Sequence, residues 1–329
     1  MKVLVTGASG FVGHALTQKL INRNPASAVR ILLRKPPPDG QFDPTKVEVF
    51  IGDVTDPKSL QRATENIEIV YHLAGVVGYS IKDRKIMELV NVGGTRHTIE
   101  AFKKSKCRRL IHMSSVAAVG ASLDGQKPLD ENSEYNLHPL NLGYFETKKA
   151  AENLVLAATR NGEIDAVVLN PSNIYGAGDA QKGSRSTQIK VAAGKFPYYT
   201  SGGVSVVHVD DVTDALISAA ERGRSGERYI LSGDNLRIYD LFAQIADCAG
   251  VAPPRWLLPN IVIRALAEIS EALERRGKKG PVSSESARAS ILYHWFDCSK
   301  ARRDLNFNPR PSHDAIRDSV TWMKSHGVI

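Results

Sequence analysis

Cysteine is scarce in this chain: Cys107, Cys248 and Cys298 are odd in number and far apart, and no C-x-x-C pair occurs. That removes the usual spacings of a zinc site or a disulfide framework, and three inert thiols in a reducing cytoplasm are expected. Long apolar runs are missing too. No uninterrupted stretch approaches the ~18 residues of a membrane span, so no membrane partner is expected. A strand-like run begins directly after Met1, which predicts no signal peptide and a cytoplasmic location. The basic residues are scattered and form no stripe alternating with aromatics, which argues against nucleic acid as a partner. No repeat of fixed period and no long low-complexity segment is present.

What is present reads as an ordinary globular chain. Of its 329 residues 42% are hydrophobic and 24% charged, enough for one large domain or two modest ones. Lys and Arg exceed Asp and Glu by 43 to 35, a net +8 that suits an anionic cofactor or substrate. Short, β-branched, nearly all apolar segments at 2–6, 29–34, 47–51, 67–73, 109–114 and 166–170 predict strands, with helical patterns clearest at 11–22, 85–104 and 144–160. Continuous apolar strands alternating with helices predict an α/β fold with a doubly wound parallel sheet. After Pro171 the texture changes. Gly176, Gly178, Gly183, Gly194, Gly202 and Gly203 punctuate a loop-rich stretch, followed by a strand at 204–209, a helix at 211–222 and a strand at 228–231. The final hundred or so residues read as helices broken by Pro253, Pro254 and Pro259.

The sequence Thr6-Gly7-Ala8-Ser9-Gly10-Phe11-Val12-Gly13 joins the first strand to the first helix. Glycines there permit a tight turn and let backbone N–H groups approach a pyrophosphate at the helix N-terminus. The second strand ends in Arg34-Lys35, at the place, about twenty residues on, where an NAD site carries an acidic residue. Arg34 offers a guanidinium for a 2′-phosphate, so NADP(H) is expected over NAD(H). Asp39 does not restore an NAD site, because Pro36, Pro37 and Pro38 intervene. Asp53-Val54 and Leu73-Ala74-Gly75 close the third and fourth strands and fall along the expected cofactor trough. His72 has no second metal ligand at useful spacing and reads as a packed strand-end histidine; no metal is expected.

Tyr144 and Lys148 stand four residues apart in a predicted helix, hence on one face. An ammonium beside a phenol favours phenolate and should lower its pKa, and lysine can also hold ribose hydroxyls. Ser114-Ser115 ends the preceding strand, so a serine hydroxyl can enter the same mouth. On spacing alone such a pair means little; its position after a glycine turn and a Ser-Ser strand end gives it weight.

In order along the chain stand TGASGFVG (6–13), GDVTD (52–56), HLAG (72–75), NVGGT (91–95), SSVAAVG (114–120), YFETK (144–148), NPSNIYG (170–176) and HVDDV (208–212). With these the chain resembles the extended short-chain dehydrogenase/reductases, the NAD-dependent epimerase/dehydratase family that includes sugar epimerases and dihydroflavonol reductases. From residue 182 onward it also resembles sugar epimerases linked to hopanoid loci. The resemblance implies a Rossmann-type domain over 1–170, a return to it at about 204–231, and a smaller, mostly helical substrate domain from 171–203 and 232–329. It makes Ser115 the catalytic serine, with Ser114 a close rival, Tyr144 the acid/base, and Lys148 its electrostatic partner and ribose ligand. Asn91 resembles the supporting asparagine, Pro171, Ser172 and Asn173 the segment lining the nicotinamide, and Met113 joins the cofactor set. Asp210 and Asp211 are expected to cap the following helix and meet its dipole. A homodimer through 85–104 and 144–160 is also implied.

Arginine at position 34 resembles the reductases of the dihydroflavonol type, whereas nucleotide-sugar epimerases carry an acidic residue there and retain NAD. The expected activity is therefore NADPH-dependent reduction of a ketone or aldehyde. A nucleotide-sugar epimerase and a non-catalytic NADP-binding sensor remain alternatives. Dehydratases need an acidic pair beside the catalytic serine, and Val116, Ala117 and Ala118 stand there instead. Segments 76–81, 135–142, 181–199 and 256–273 are expected to border the substrate. The apolar cluster from Trp256 to Leu266 is assigned to the core ahead of a substrate channel or dimer surface. The basic charge at 183–185 is a candidate for meeting a diphosphate, and the run at 274–280 reads as a solvated charge cluster.

Overall fold

The computed structural model describes residues 2–23, 29–179 and 185–329. Six strands lie in the first half, with helices between all successive pairs except β2 and β3: β1 (Val3–Thr6), β2 (Val29–Leu33), β3 (Val47–Ile51), β4 (Ile69–His72), β5 (Arg109–Met113) and β6 (Ala166–Pro171). Seven more follow: β7 (Asn173–Tyr175), β8 (Tyr198–Tyr199), β9 (Gly203–His208), β10 (Arg228–Leu231), β11 (Asp234–Arg237), β12 (Trp256–Leu257) and β13 (Tyr293–His294). The main sheet has seven strands in the order β10-β6-β5-β4-β1-β2-β3, all parallel. The order reverses direction at β1, which opens a crevice beyond the carboxyl ends of β1 and β4.

The central strands are mostly apolar because both faces are covered, with Thr6, His72, Arg109 and His112 the polar exceptions in β1, β4 and β5. Val3 and Val5 of β1 face one core, shared with the helices Phe11–Arg23 and Val209–Arg222 through Leu16, Leu20, Val212 and Leu216. Leu4, between them, faces the other, with Leu60, Ile99 and Val155 from the helices Pro57–Ala63, Gly94–Lys103 and Gly143–Arg160. The fold is the expected Rossmann-type α/β architecture.

Two features differ from the sequence reading. Only β10 rejoins the main sheet, completing its edge beside β6. The strand at 203–208, expected to join it, is instead the centre of a second sheet, where β9 pairs with β7, β11 and β13. Those partners occupy the backbone groups that the main sheet would need. The predicted helix at 85–104 is broken into Arg84–Met87, a π-helical turn Glu88–Gly93, and Gly94–Lys103. Such turns re-aim a side chain within a helix, and here the one re-aimed is Asn91.

Outside the main sheet, Tyr175, Val206, Leu241, Phe242, Ile245, Ile316 and Val320 form a third core. It unites the second sheet with the helices Ile238–Ala249 and Ser312–Ser325.

Candidate functional site

The glycine turn is built from backbone contacts that no side chain would tolerate. Gly7 leaves β1 at φ 75°, and a Cβ there would lie 2.7 Å from the nitrogen of Ala74. At Gly13 it would lie 2.1 Å from the Gly7 carbonyl. One glycine therefore lets the turn pass the end of β4, and the other lets the helix settle on the turn. A Cβ on Gly10 would meet only the Gly7 oxygen, at 3.1 Å, so this position keeps the outward face open. Ser9, Gly10, Phe11 and Val12 carry the chain into the helix, whose free N–H groups and dipole suit an anion. The cradle fits a pyrophosphate.

The end of β4 is tied to this turn. Thr6 Oγ1 accepts from the Ala74 nitrogen and shares a 2.8 Å hydrogen bond with His72 Nδ1. His72 Nε2 meets Thr95 Oγ1 at 3.2 Å. Burial, with Lys148 nearby, lowers the His72 pKa to about 3, so the ring is neutral. It is a packed strand-end histidine.

At the other end of the turn, Ser9, Arg34, Lys35, Pro36, Pro37, Pro38 and Gln41 line a concavity of about 400 Å³. Among the described residues no acidic side chain lines it, and Arg34 is exposed there. The Asp53 carboxylate folds its own turn: Oδ1 accepts from the Thr55 nitrogen and hydroxyl, both at 2.9 Å. Val54 is buried against Gly94, where a Cβ would stand 3.0 Å from its Cγ2.

Tyr144 and Lys148 lie one turn apart on the helix Gly143–Arg160. Lys148 Nζ donates to the Met113 carbonyl at 2.8 Å. Burial lowers its pKa to about 8, against the opposing charge of Glu152. Tyr144 is half-buried, with the Ser115 hydroxyl in hydrogen-bonding reach. Burial pushes its phenol above the usual range, Tyr79 adds to this, and Ser115 opposes it. The expected lowering by Lys148 is not found. Desolvation dominates at the phenol, while the ammonium is turned to a backbone carbonyl.

The two serines have opposite surroundings, because successive residues leaving a strand point to opposite sides. Ser114 Oγ donates to Glu152 Oε2 at 2.6 Å in the interior. The Glu152 carboxylate, 0% exposed, also accepts from Asn170 Nδ2 at 2.6 Å and from Arg228 at 3.0 Å. Asn170 Nδ2 reaches the Ser115 carbonyl at 2.9 Å as well. Ser115 instead starts a short 3-10 turn, Val116–Ala118, its Oγ accepting from the Ala117 nitrogen at 3.1 Å.

Asn91 works as a clamp. Its Oδ1 accepts from the Val76 nitrogen at 2.8 Å, and its Nδ2 donates to the Val76 carbonyl at 3.0 Å and to Thr147 Oγ1 at 3.1 Å. The loop carrying Leu73, Ala74 and Gly75 is thereby fastened to the tyrosine helix. Pro171 ends β6, the Ser172 nitrogen donates to the Leu231 carbonyl at 3.0 Å, and Asn173 opens β7. The Ser172 hydroxyl is buried without a hydrogen-bond partner among the described residues.

Several sequence expectations require correction. His208, rather than Asp210 or Asp211, caps the helix Val209–Arg222, its Nδ1 accepting from the Asp210 nitrogen at 3.0 Å. The helix starts earlier than read, so both aspartates fall inside its first turn; Asp211 pairs with Arg310 at 2.9 Å. Gly183 and Ser184 lie outside the described residues. Arg185 sits over the Tyr175 ring at 3.9 Å and beside Asp179 at 3.5 Å, so its charge is already matched. The Trp256 cluster is only partly core: Ile263 is buried with Leu258 packed beside it, whereas Trp256 is 63% and Ile261 78% exposed.

Tyr79 and Glu285 join the site although no role was read for them. The Tyr79 ring stands edge-on to Tyr144 at 6.2 Å. Glu285, buried, accepts from Arg84 Nε at 3.0 Å and from the Gly143 nitrogen at 2.8 Å, seating the start of the tyrosine helix. Tyr79 fell in a segment expected to border the substrate. Glu285 has no local signal, because its partners lie far away in the chain.

Residues 3–232 match the NAD dependent epimerase/dehydratase family. Over 335 aligned residues, 100% of both chains, the protein is 30% identical to sterol demethylase protein B of Methylococcus capsulatus. It is 28% identical to a putative dihydroflavonol 4-reductase of Synechocystis, with 99% of this chain and 95% of the relative covered. The solved structure of gox2253 superposes with a TM-score of 0.87 at 34% identity, over 99% of each chain.

Proposed function

The chain belongs to the NAD dependent epimerase/dehydratase family, whose members use a nicotinamide cofactor, and on that premise we propose that it is an NADPH-dependent reductase of a ketone or aldehyde. The observation that carries the reading is Arg34, exposed at the end of β2 in a concavity with no acidic lining among the described residues. A guanidinium there matches a 2′-phosphate by charge and by its planar fork of donors. The glycine turn, the Asp53-Val54 turn and Leu73-Ala74-Gly75 border the rest of the dinucleotide. Pro171, Ser172 and Asn173 border its nicotinamide end.

When bound, the nicotinamide supplies the hydride that reaches the carbonyl carbon. Tyr144 donates its proton to the carbonyl oxygen, and Ser115 orients that oxygen through its hydroxyl. Burial keeps the phenol protonated, so Tyr144 enters the step with a proton to give. Lys148, fixed by the Met113 carbonyl, has further N–H groups for ribose hydroxyls, and its positive charge stabilises the tyrosinate left after proton transfer. Asn91 and Glu285 position the helix that carries Tyr144 and Lys148.

The 3-10 turn beside Ser115 is apolar, so the acidic pair required for dehydration is absent there. Arg185 is matched by Asp179, which withdraws one cation from any diphosphate. Tyr135, Leu137, Leu140 and Leu142 pack around Tyr144 and Phe145, and such a wall suits a carbonyl on an apolar frame. The exposed Ile86 and Leu89 on the segment expected to pair two copies are consistent with a homodimer.

The test is a titration with NADPH and NADH, followed by a carbonyl panel spanning aromatic aldehydes, flavonoid-like ketones, steroids and nucleotide sugars. Tighter binding of NADH, together with turnover of nucleotide sugars alone, would replace this reading by the epimerase.

A further inference from the structure

The helix Asn260–Arg275 has two apolar faces. The inner one, Ile263 and Ala267, packs with Leu258 and Ile291 against Ala287 of the helix Ser284–Ala289. The outer one is uncovered. Ile261 and Ile269, eight residues apart, share a stripe on the surface, 78% and 53% exposed, with Val262 beside them at 41%. Trp256 and Leu257 of β12, just before this helix in the chain, are also largely exposed. Large apolar side chains grouped on a surface in this way mark an interaction site.

The charges around it decide the partner. Three acidic residues lie on this helix, and each has a partner. Glu268 and Glu271 pair with Arg288, Glu271 also with Arg275, and Glu274 accepts from Ser284 Oγ at 3.1 Å. Five cations, Arg255, Arg264, Arg276, Lys278 and Lys279, are exposed, and among the described residues none makes an ion pair. The surface is therefore apolar at its centre and positive at its edge. A second copy suits it poorly, because a two-fold contact would bring the same unmatched cations together. A nucleic acid would leave the indole and the isoleucines without an apolar partner.

Although the lack of a spanning run led the sequence to predict no membrane partner, we propose that this face docks on an anionic lipid bilayer, with Trp256, Leu257, Ile261 and Ile269 entering the interface and the five cations meeting lipid phosphates. An exposed tryptophan within a basic, amphipathic surface is the pattern of an interfacial helix, and cations beside anionic lipid each add binding. The segment also adjoins the site: Glu274 accepts from the Ile81 nitrogen at 3.4 Å, and Ser283 donates to the Tyr79 carbonyl. Docking thus sets the mouth beside Tyr144 close to the bilayer. The surface argument does not depend on the reductase reading.

Co-sedimentation of the full chain with phosphatidylcholine vesicles, with and without phosphatidylglycerol, tests this. Tryptophan emission is recorded in parallel. Binding with a blue shift is expected only with phosphatidylglycerol, weakening as salt is raised. Ile261→Asp and the pair Lys278→Glu with Lys279→Glu should each weaken it by roughly tenfold or more. All these positions are exposed, and an unchanged melting temperature verifies that the variants fold. Failure of the natural chain to bind the anionic vesicles, or equal binding by Ile261→Asp, overturns the proposal. A dimer that Ile261→Asp converts to monomer, without lipid binding by either, assigns the face to a second copy instead.

Discussion

The hydroxyl of Ser114 donates to the buried carboxylate of Glu152 across 2.6 Å, which removes one of two adjacent serines from the substrate mouth. Ser114 thereby becomes part of the floor beneath the site, while Ser115 faces Tyr144. Replacing each by alanine should separate the roles. Ser115→Ala is expected to lower kcat by about a hundredfold, the scale of losing one preorganised donor, with little change in melting temperature. Ser114→Ala should retain most turnover but cost about 1–3 kcal/mol of stability, because a charged acceptor loses a buried donor. Steady-state kinetics beside thermal melts check both.

Tyr144→Phe should bind NADPH normally and lose about 10²–10⁴ in turnover, the usual worth of a positioned general acid. Unchanged activity on every accepted carbonyl would remove the mechanism.

Arg34→Asp should shift preference from NADPH toward NADH by about tenfold or more, since charge-assisted hydrogen bonds to the 2′-phosphate are exchanged for repulsion. Paired fluorescence titrations give the ratio directly. A preference that did not move would place the 2′-phosphate elsewhere.

Lys148 is held near a pKa of about 8 by burial, so its charge is present below that pH and lost above it. Turnover should fall on the alkaline side of about pH 8. A pH–rate profile that stays level well beyond that value would show that the tyrosinate does not rely on the ammonium.

Much of this was legible in the sequence, for identifiable reasons. β1, β2 and the glycine turn were readable because their constraints are local: short strands apolar but for Thr6 and Arg30, and turns that admit no Cβ. The Tyr144–Lys148 spacing was readable because helical periodicity places both on one face. The sign of the Tyr144 shift was not, since burial overrides the nearby charge and burial is a property of the assembled chain. Glu285 was invisible because Arg84 and Gly143 meet it across long sequence separations. The strand at 203–208 read correctly as a strand, but its sheet was misplaced, because pairing partners are chosen by edges available in three dimensions. The Trp256 cluster looked like core because composition alone does not distinguish an inner apolar face from an outer one.

Buried histidines make acid sensitivity a further expectation. Burial lowers His72 to about 3 and His294 to about 4, from 6.5 in each case, and holds His112 well below 6.5. The unfolded chain binds these protons first, so the stability is fully present above pH 6.5 and lost as pH falls toward 4. Neither ring nitrogen of His112 has a hydrogen-bond partner among the described residues. His112→Phe should therefore raise the melting temperature more on the acid side of 6.5 than above it. A uniform rise at all pH would attribute the effect to packing alone.

Arg228 on β10 meets Glu152 at 3.0 Å, and this gives the site a direction in time. On a ribosome, a nascent chain acquires the glycine turn, Ser115, Tyr144 and Lys148 long before residue 228 is added. Until then the Glu152 carboxylate lacks its ion-pair partner, and only the less direct charges of Lys148 and Lys149 oppose it. The floor beneath Ser115 is therefore completed only when β10 is in place, and shorter chains carry Ser115, Tyr144 and Lys148 without it.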